Sequence, residues 1–495
     1  MGRRALQLVK GGAIALTSLA LLVFVAAFIA RGVTSANGPD LEPWHTFVPR
    51  ELTVAEMGQS DWAGYLAEEA RIFAEMKNAV TDRLPALERT PINRYFAGSR
   101  VYPPRFAQDW NRSFEIAPEG PVRGAAVFLH GLTDSPYSLR HVARRYSALG
   151  YLSIGIRLPG HGTTPGALTD VEVKDWIAAS RLAVREARKR VGPDAPIHLV
   201  GYSNGAALAL MYALDALDDD TLVRPARLVL LSPMIAITPF ARFVGLAGLP
   251  AVVPAFAKAA WLSIEPEFNP FKYNSFPVNA ARQSYLLTQE LAANIQRHLT
   301  SGKIANMPPV LAFQSVLDET VSAPAVLTGL FAHLPENGSE LVLFDLNRTT
   351  DLDLVLTRNT LDVLDSLLPD ADRSFHSTLV TNIPGQAAVQ AQTKGPHATN
   401  PQTLPLNLTY EPNVYSLSHI AVPFPLADGL YGMTPDPADA FGINLGTITG
   451  RGERGALVLS LDILMRMSSN PFFPYLLERV ETAITAPKPA AAAPR

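Results

Sequence analysis

The chain has 495 residues, more than one ordinary domain, and its 48% apolar content excludes a mainly disordered protein. With 42 Lys+Arg against 45 Asp+Glu, the formal net charge is −3, so the chain lacks the excess of positive charge that is typical of nucleic-acid-binding proteins. Cysteine is absent, so disulfides, thiolate metal sites and a cysteine nucleophile are excluded. Any covalent catalysis must use another nucleophile.

The first predicted element is an N-terminal membrane segment. Residues 11–30 carry no charge and follow the basic residues Arg3, Arg4 and Lys10. A helix of this length spans ~30 Å, the thickness of a bilayer core. The basic flank predicts that residues 1–10 stay cytoplasmic and that the rest lies on the periplasmic or extracellular side. We favour a retained signal anchor because the run exceeds the usual h-region of ~7 to 15 residues.

Small residues at positions 33–36 leave an alternative open, in which a signal peptidase cleaves the segment and the protein is secreted.

The remainder of the chain alternates short apolar runs with helical patterns, which predicts an α/β fold with a mostly parallel central sheet and helices on both faces. Thr169 and Glu172 predict a capping box before one of these helices. The six predicted strands are Ala125 to Leu129, Leu152 to Ile156, Ile197 to Val200, Leu228 to Leu231, Val310 to Phe313 and Leu341 to Phe344.

Breaks in this alternation predict the organisation of the chain. The segments are a mainly helical extension (31–112), the first half of the core (113–236), a cap (237–300), the second half of the core (301–347), an irregular insertion (348–410), a segment ending in a helix (411–480) and a disordered tail (481–495).

The sharpest local motif is the G-x-S-x-G sequence at residues 201–205, which lies between a predicted strand and an Ala-rich helix. This is the context of a nucleophile elbow, with Ser203 as the nucleophile. Acyl transfer also needs two backbone N–H donors for the oxyanion. We expect these from Asn204, directly after the nucleophile, and from Leu132, in the loop after an earlier strand.

Three motifs together carry a family resemblance: FLHGLTDSP at 128–136, RLPGHG at 157–162 and GYSNG at 201–205. In this order the chain resembles the α/β-hydrolase superfamily, in particular its monoglyceride lipase, lysophospholipase and carboxylesterase (serine aminopeptidase-like) branch. The resemblance implies a Ser, acid, His triad in that chain order, with a cap over the pocket. His130 and His161 occupy motif positions that the family uses structurally.

The resemblance also implies where the other two triad residues lie. Asp318 follows a predicted strand and precedes Thr-Val, as in the family's acid loop, and is preferred to Glu319. The family usually places its histidine soon after the next strand, but residues 345–349 contain none. We therefore infer that 348–410 is an insertion and that His419, at the end of an apolar run, is the base.

His376 and His397 remain the alternative bases, whereas His333 precedes the strand and is better interpreted as a helix-surface residue.

These residues predict a serine hydrolase that cleaves small-molecule carboxylic esters with lipid-like or other apolar acyl groups, and they imply no cofactor or metal. A peptidase or an acyltransferase would use the same triad. A non-catalytic binding protein on the same fold is the alternative from another class.

Overall fold

The fold is built from eleven described helices and fourteen described strands. The computed structural model describes residues 3–237, 244–318, 320–349, 358, 367, 372–411, 414–446 and 465–485. The helices are α1 (Arg3–Ala36), α2 (Pro43–Thr46), α3 (Val54–Gln59), α4 (Trp62–Ala79), α5 (Arg140–Ala148), α6 (Val173–Val191), α7 (Asn204–Asp218), α8 (Val244–Ala247), α9 (Val278–Thr300), α10 (Ala323–Gly329) and α11 (Phe473–Thr485).

The strands are β1 (Phe114–Ile116), β2 (Gly124–Leu129), β3 (Tyr151–Ile156), β4 (Ile197–Tyr202), β5 (Arg227–Leu231), β6 (Trp261–Ser263), β7 (Phe276–Pro277), β8 (Val310–Ser315), β9 (Glu340–Phe344), β10 (His376–Asn382), β11 (Ala388–Lys394), β12 (Gln402–Thr409), β13 (Val414–Leu417) and β14 (Met465–Met467).

Ten of the described strands form one twisted sheet in the order β1-β3-β2-β4-β5-β8-β9-β10-β11-β12. Pairing is parallel from β3 through β10, and the edge strands β1, β11 and β12 are antiparallel. All six strands expected from apolar runs are present. The structure thus confirms the expected mostly parallel sheet.

The sheet is covered on both faces, as the alternation along β2 shows. Val127 and Leu129 belong to one apolar cluster with the buried faces of α6, α7 and α9. Ala126 and Phe128 belong to a second cluster with α5 and α11. Because successive side chains of a strand point to opposite faces, strands buried on both faces consist of nearly continuous apolar runs.

The N-terminal extension packs on this core through a buried ionic contact. Arg157 is 1% exposed and contacts Glu51 through both terminal nitrogens at 2.8 Å. Its Nε lies 3.3 Å from Glu69 of α4. Tyr65 of the same helix donates a hydrogen bond to the Arg157 carbonyl. The extension is therefore joined to the loop after β3.

Two expectations about the C-terminal half were wrong. Much of the segment expected to be an irregular insertion (348–410) forms β10, β11 and β12, which widen the sheet. Its polar residues alternate with buried ones because edge strands keep one face in solvent. Residues 481–485, expected to belong to the disordered tail, form the last turn of α11. Residues 350–357 of the insertion and 486–495 of the tail lie outside the described residues.

The capping box was also expected one turn too early. Helix α6 begins at Val173, and Glu172 is its N-cap, exchanging hydrogen bonds with Asp175. Thr169 ends a preceding 3₁₀ turn, where its hydroxyl donates to the Gly166 carbonyl. An Asp at the third helical position fills the role that the sequence pattern assigned to Glu172.

The insertion between β5 and β8 contains α8, the β6–β7 pair, α9 and the described 3₁₀ turns Leu249–Val252, Pro254–Ala260 and Lys303–Asn306; its part up to residue 300 is the region expected to be the cap. Its residues 238–243 lie outside the described residues. At the other end of the chain, Ala15–Ala36 of α1 is long and apolar enough to cross a membrane, with mean hydropathy 2.2. A signal anchor and a signal sequence both fit this helix.

Candidate active site

Ser203 lies at the tight turn between β4 and α7, in a strained backbone conformation. Its φ of 53° and ψ of −114° fall where non-glycine residues rarely lie. A Cβ on Gly205 would lie 1.9 Å from the Leu129 carbonyl oxygen, and one on Gly201 would lie 2.4 Å from the Ala206 Cα. The two glycines are therefore required by the close approach of neighbouring backbone, and the turn presents Ser203 beyond the end of the strand.

Two side chains expected at the site meet Ser203 in a hydrogen-bonded chain. The Nε2 atom of His419 lies 3.1 Å from Ser203 Oγ. The Nδ1 atom of the same ring lies 2.7 Å from Asp318 Oδ2. Because an ionised carboxylate only accepts hydrogen bonds, Nδ1 carries the hydrogen and Nε2 is left to accept the Ser203 hydroxyl proton. The three residues thus have the order of a nucleophile, a base and an orienting acid.

The Asp318 carboxylate is fixed by further hydrogen-bond donors. Its Oδ1 accepts from the backbone N–H groups of Thr320 and Val321, at 3.0 and 3.1 Å. Its Oδ2 also accepts from Gln314 Nε2 at 2.9 Å. The side chain of Asp318 is fully buried, so these bonds replace the water that it would otherwise bind. The acid is held in one orientation toward the imidazole.

His419 reaches this position from the end of β13, as the apolar run before it indicated. It begins a short 3₁₀ turn, His419–Ala421, and its ring stacks on Tyr202 with centroids 5.4 Å apart. Strand β13 pairs with β14 in a separate parallel pair and does not join the central sheet. His419 is therefore positioned by a small strand pair that follows the edge strands β11 and β12 in the chain.

The sequence interpretation missed Arg466 of β14. Its Nη2 donates to the carbonyls of Leu317 and Leu417, and its Nε donates to Ser416 Oγ. Leu317 directly precedes Asp318, and Ser416 and Leu417 lie three and two residues before His419. Arg466, which is 1% exposed, therefore joins the loop of Asp318 to the loop of His419. The only available signal was an arginine in the apolar context Leu-Met-Arg-Met.

The two expected oxyanion donors come from different parts of the chain, one at the start of a helix and one in a loop. Asn204 is the first residue of α7, where helix N–H groups have no intrahelical acceptor. Leu132 lies in the loop after β2 and lines the same cavity as Ser203. Among the backbone hydrogen bonds between described residues, none uses the N–H of Leu132 or Asn204. Both groups are thus available to a negatively charged oxygen.

The loop carrying Leu132 is held by backbone contacts. Thr133 has a φ of 60°, and its carbonyl accepts a hydrogen bond from the Tyr273 N–H at 2.8 Å. His130 accepts a hydrogen bond from the Leu158 N–H at Nε2, and its Nδ1 donates to the Gly131 carbonyl. Burial and the neighbouring His161 lower the pKa of His130. A neutral His130 therefore supports the loop, in line with a structural role.

The alternative residues lie elsewhere. The backbone N–H of His376, in β10, donates to the Ser339 carbonyl, and the His397 ring contacts Asp372 and Glu336 at the surface. His333 ends a 3₁₀ turn after α10. Glu319 lies outside the described residues. Among the described histidines, His419 is the one within hydrogen-bonding distance of Ser203.

Ser203 and His419 open into a cavity of about 410 Å³. Its wall is mainly apolar. It is formed by the loop after β2, the loop after β8 and the cap, including α9. The lining includes Leu132, Met234, Ile237, Lys272, Tyr273, Phe276, Ala281, Ser284 and Val321. The volume and the apolar wall suit a small molecule with a hydrocarbon group.

A separate group, His141, Asp428 and Asp439, has the residue types of a metal site. Arg140, fully buried, contacts Asp428 at 2.8 Å and Asp439 at 2.5 Å. Its guanidinium already supplies the positive charge between the two carboxylates. Burial opposes the charged form, but Arg140 and His141 lower the pKa of Asp428, so this group is an internal ion pair.

Comparison with known proteins gives one family. The model of the alpha/beta hydrolase family matches residues 126–377. A thermostable monoacylglycerol lipase of Bacillus sp. (strain H-257) is 32% identical over 97 residues. That alignment covers 20% of this chain and 37% of the lipase, so the chain matches well under two thirds of its relative.

Three solved structures are also similar to this chain. A structure reported for the metagenome-derived lipolytic enzymes LipS and LipT is 22% identical, covering 48% of this chain and 88% of that one, with a TM-score of 0.38. Est1E from Butyrivibrio proteoclasticus with bound ferulic acid is 19% identical (47% and 85% covered, TM-score 0.34). A soluble variant of the Saccharomyces cerevisiae monoglyceride lipase is 17% identical (47% and 82% covered, TM-score 0.36).

Proposed function

Since this chain belongs to the alpha/beta hydrolase family, we propose that it is a serine hydrolase that cleaves carboxylic esters through an acyl-enzyme. The observation that carries this proposal is the continuous hydrogen-bonded chain from Ser203 through His419 to Asp318, which opens into an apolar cavity. In this arrangement the base can remove the serine proton while the acid stabilises the resulting imidazolium.

The first half of the reaction acylates the serine. As Ser203 Oγ attacks the ester carbonyl, its proton moves to His419 Nε2, and the backbone N–H groups of Leu132 and Asn204 bind the oxyanion. Loss of one such donor typically costs about 2.7 to 4 kcal/mol of transition-state stabilisation. His419 then gives its proton to the departing alcohol, and the acyl group remains on Ser203.

In the second half, a water molecule gives a proton to His419 and attacks the acyl carbonyl. The oxyanion forms again at the same two N–H groups, and its collapse releases the carboxylic acid. The proton returns from His419 to Ser203 Oγ. Asp318 keeps Nδ1 protonated throughout, so the base returns to the tautomer in which it began.

We infer the substrate class from the lining of the cavity, and the name of the Bacillus lipase that aligns with part of this chain supports it. Met234, Ile237 and Phe276 offer an apolar wall to an acyl chain. The aligned Bacillus protein is called a monoacylglycerol lipase, which favours esters of this kind.

We place the catalytic domain on the non-cytoplasmic side of a membrane, attached through α1, because the basic residues Arg3, Arg4 and Lys10 precede the apolar run.

Hydrolysis of a panel of p-nitrophenyl esters tests this proposal. The wild-type chain should hydrolyse these esters, and Ser203→Ala and His419→Ala should each lower kcat by about 10³-fold or more. His376→Ala is the matched histidine control and should retain wild-type turnover. Peptide amides and alternative acyl acceptors belong in the same assay, because a preference for either would reassign the reaction. Full turnover by His419→Ala would contradict the proposed base.

A further inference from the structure

The C-terminal end of α1 packs against the cap. Arg31 Nη2 donates to the Trp261 carbonyl at 2.6 Å, and its Nε donates to the Ala247 carbonyl at 3.3 Å. A Cβ on Gly32 would lie 2.8 Å from the Phe256 ring, so the helix and the cap are in close contact. The chain leaving α1 is held as well, because Lys258 Nζ lies 2.8 Å from Asp40 Oδ1.

These contacts bear on whether α1 is retained. Both positions suited to a signal peptidase follow Arg31 and Gly32 in the chain, so cleavage there would remove the residues that contact the cap. It would leave the carbonyls of Ala247 and Trp261 without the donor that they have here. The contacts therefore favour an anchor that remains part of the folded protein.

Beyond this contact, α1 projects away from the domain as an exposed apolar helix. Leu16, Leu19 and Leu22 are each 59–69% exposed, although they belong to the most apolar part of the chain. Such a surface is stable only when another apolar phase covers it. Length, composition and exposure all agree with a lipid bilayer around this part of α1.

Exposed apolar side chains continue from α1 onto the cap. We call the group Leu246, Leu249, Val252 and Val253 the cap patch; Val252 is 77% exposed and Leu246 is 52% exposed. Leu246 is on α8, Leu249 and Val252 are on the 3₁₀ turn Leu249–Val252, and Val253 directly follows this turn, which packs against α1. A bilayer that surrounds α1 up to Arg31 would therefore end beside the segment that carries the cap patch.

The cap patch is connected to the active-site cavity through α9. Gly248 directly follows α8, and a Cβ added to it would lie 3.0 Å from the side chain of Val278 in α9. On the same helix, Ala281 and Ser284 line the cavity that contains Ser203. Helix α9 thus packs against the segment that carries the cap patch and also forms part of the cavity wall.

We propose that the cap patch docks on the bilayer that α1 spans, and that the active-site cavity takes its ester substrate from that bilayer. The substrate class is then an amphiphile with its acyl chain in the membrane. The docking surface rests on α1 and the cap alone, whereas the substrate statement rests on the proposed ester hydrolysis.

The absence of cysteine in the chain permits a direct test, because each introduced cysteine is unique. The full chain would carry an environment-sensitive fluorophore at Val252→Cys, at Leu22→Cys in α1 or at Leu404→Cys, and would be reconstituted in phosphatidylcholine and phosphatidylglycerol vesicles. Leu404 is the matched control, since it is 58% exposed and apolar but lies in the edge strand β12.

Lipids with a spin label on the acyl chain should quench the fluorophores at positions 22 and 252 and leave that at 404 unquenched. Equal quenching at 252 and 404, with strong quenching at 22, would overturn the docking surface. Absence of quenching at 22 would overturn it too, because α1 would then not be in the bilayer. Protection of position 252 from aqueous iodide without lipid quenching would assign the patch to a second copy of the chain and also contradict the proposal.

A kinetic measurement tests the substrate statement separately. The double variant Leu249→Asp with Val252→Asp should hydrolyse a long-chain ester embedded in vesicles about tenfold more slowly than wild type, since charge opposes docking. Its turnover of soluble p-nitrophenyl acetate should be unchanged. Equal loss on both substrates would contradict uptake from the bilayer. A wild-type chain that hydrolyses neither ester would refute the proposed function, while the quenching result would still decide the docking surface.

Discussion

At the scale of single residues, the site depends on how closely backbone segments approach Ser203. Its positive φ is maintained by hydrogen bonds on both sides: its N–H donates to the Leu231 carbonyl and its carbonyl accepts from the Met234 N–H. A serine held in this way cannot relax into the helix that follows. The strain is therefore balanced by the surrounding structure and keeps Oγ directed at His419.

Gly205→Ala tests this close approach. The new Cβ would lie 1.9 Å from the Leu129 carbonyl oxygen, which is backbone and cannot move aside. We expect a loss of at least about 3 kcal/mol in the free energy of unfolding, measured by denaturant titration.

The matched control is Gly58→Ala, because nothing lies within 4 Å of a Cβ at that position in α3. That variant should be neutral or slightly stabilising. Equal stability of the two variants would show that the elbow tolerates a side chain.

At the scale of secondary-structure elements, two short strands position His419, the proposed base. Strand β13 ends two residues before His419, and β14 pairs with it in parallel from a distant part of the chain. Arg466 extends this pairing to the acid loop through the Leu317 carbonyl, and Ser418 Oγ donates to the Met467 carbonyl. The loops that carry Asp318 and His419 are thereby joined by one small structural unit.

Arg466→Met should separate these two loops. Because the side chain contacts no reacting atom, we expect a positioning effect: kcat for p-nitrophenyl acetate falls about 10- to 100-fold while KM changes little. Arg466→Lys should recover part of kcat, since one ammonium can reach one carbonyl but cannot bridge two.

Thermal melting distinguishes this role from a general structural one. A lower Tm with unchanged kcat in the folded fraction would mean that Arg466 contributes to stability alone.

The sequence predicted those strands whose burial produces a clear run of apolar residues, and it missed those whose burial does not. The six parallel strands were visible because burial on both faces produces continuous apolar runs. Strands β10 to β12 were not, because their alternation of polar and buried residues resembles a loop rich in Thr and Gln. The pairing of β13 with β14 depends on long-range contact, so Arg466 could not be assigned from local context.

At the scale of the whole molecule, the distance between acid and base along the chain now has a structural explanation. Asp318 and His419 are 101 residues apart in sequence but 2.7 Å apart in space. The intervening chain contains β9 and the three strands that widen the sheet, after which it returns to the site. The position of His419 was predictable from its apolar flank, whereas the strands before it were not.

The interior also contains several buried histidines whose pKa values are lowered, chiefly by desolvation. Burial lowers the pKa of His45 to about 4 and those of His161 and His198 to about 3. The unfolded chain binds a proton at each near pH 6.5, whereas the folded chain does not until the pH is far lower. Their contribution to stability is complete above pH 6.5 and is lost as the pH falls toward 3 to 4.

Stability should therefore fall on acidification, by about 2 kcal/mol per such histidine between pH 7.5 and pH 5. Unfolding of the wild type and of His198→Phe, followed by denaturant titration at both pH values, measures this effect. His198 packs against Tyr146 and Tyr151, so phenylalanine can occupy the site. The variant should show a smaller pH dependence. If the free energy of unfolding changed equally with pH in the two proteins, His198 would not contribute to the pH dependence.

The most direct test of the central claim is to identify the residue that a fluorophosphonate probe modifies, by peptide mapping of the full chain. The catalytic assignment predicts a single adduct on Ser203, no labelling of Ser203→Ala, and labelling of His419→Ala slowed by about 100-fold or more. An adduct on another residue, or labelling of Ser203→Ala at the wild-type rate, would contradict the assignment of Ser203 as the nucleophile.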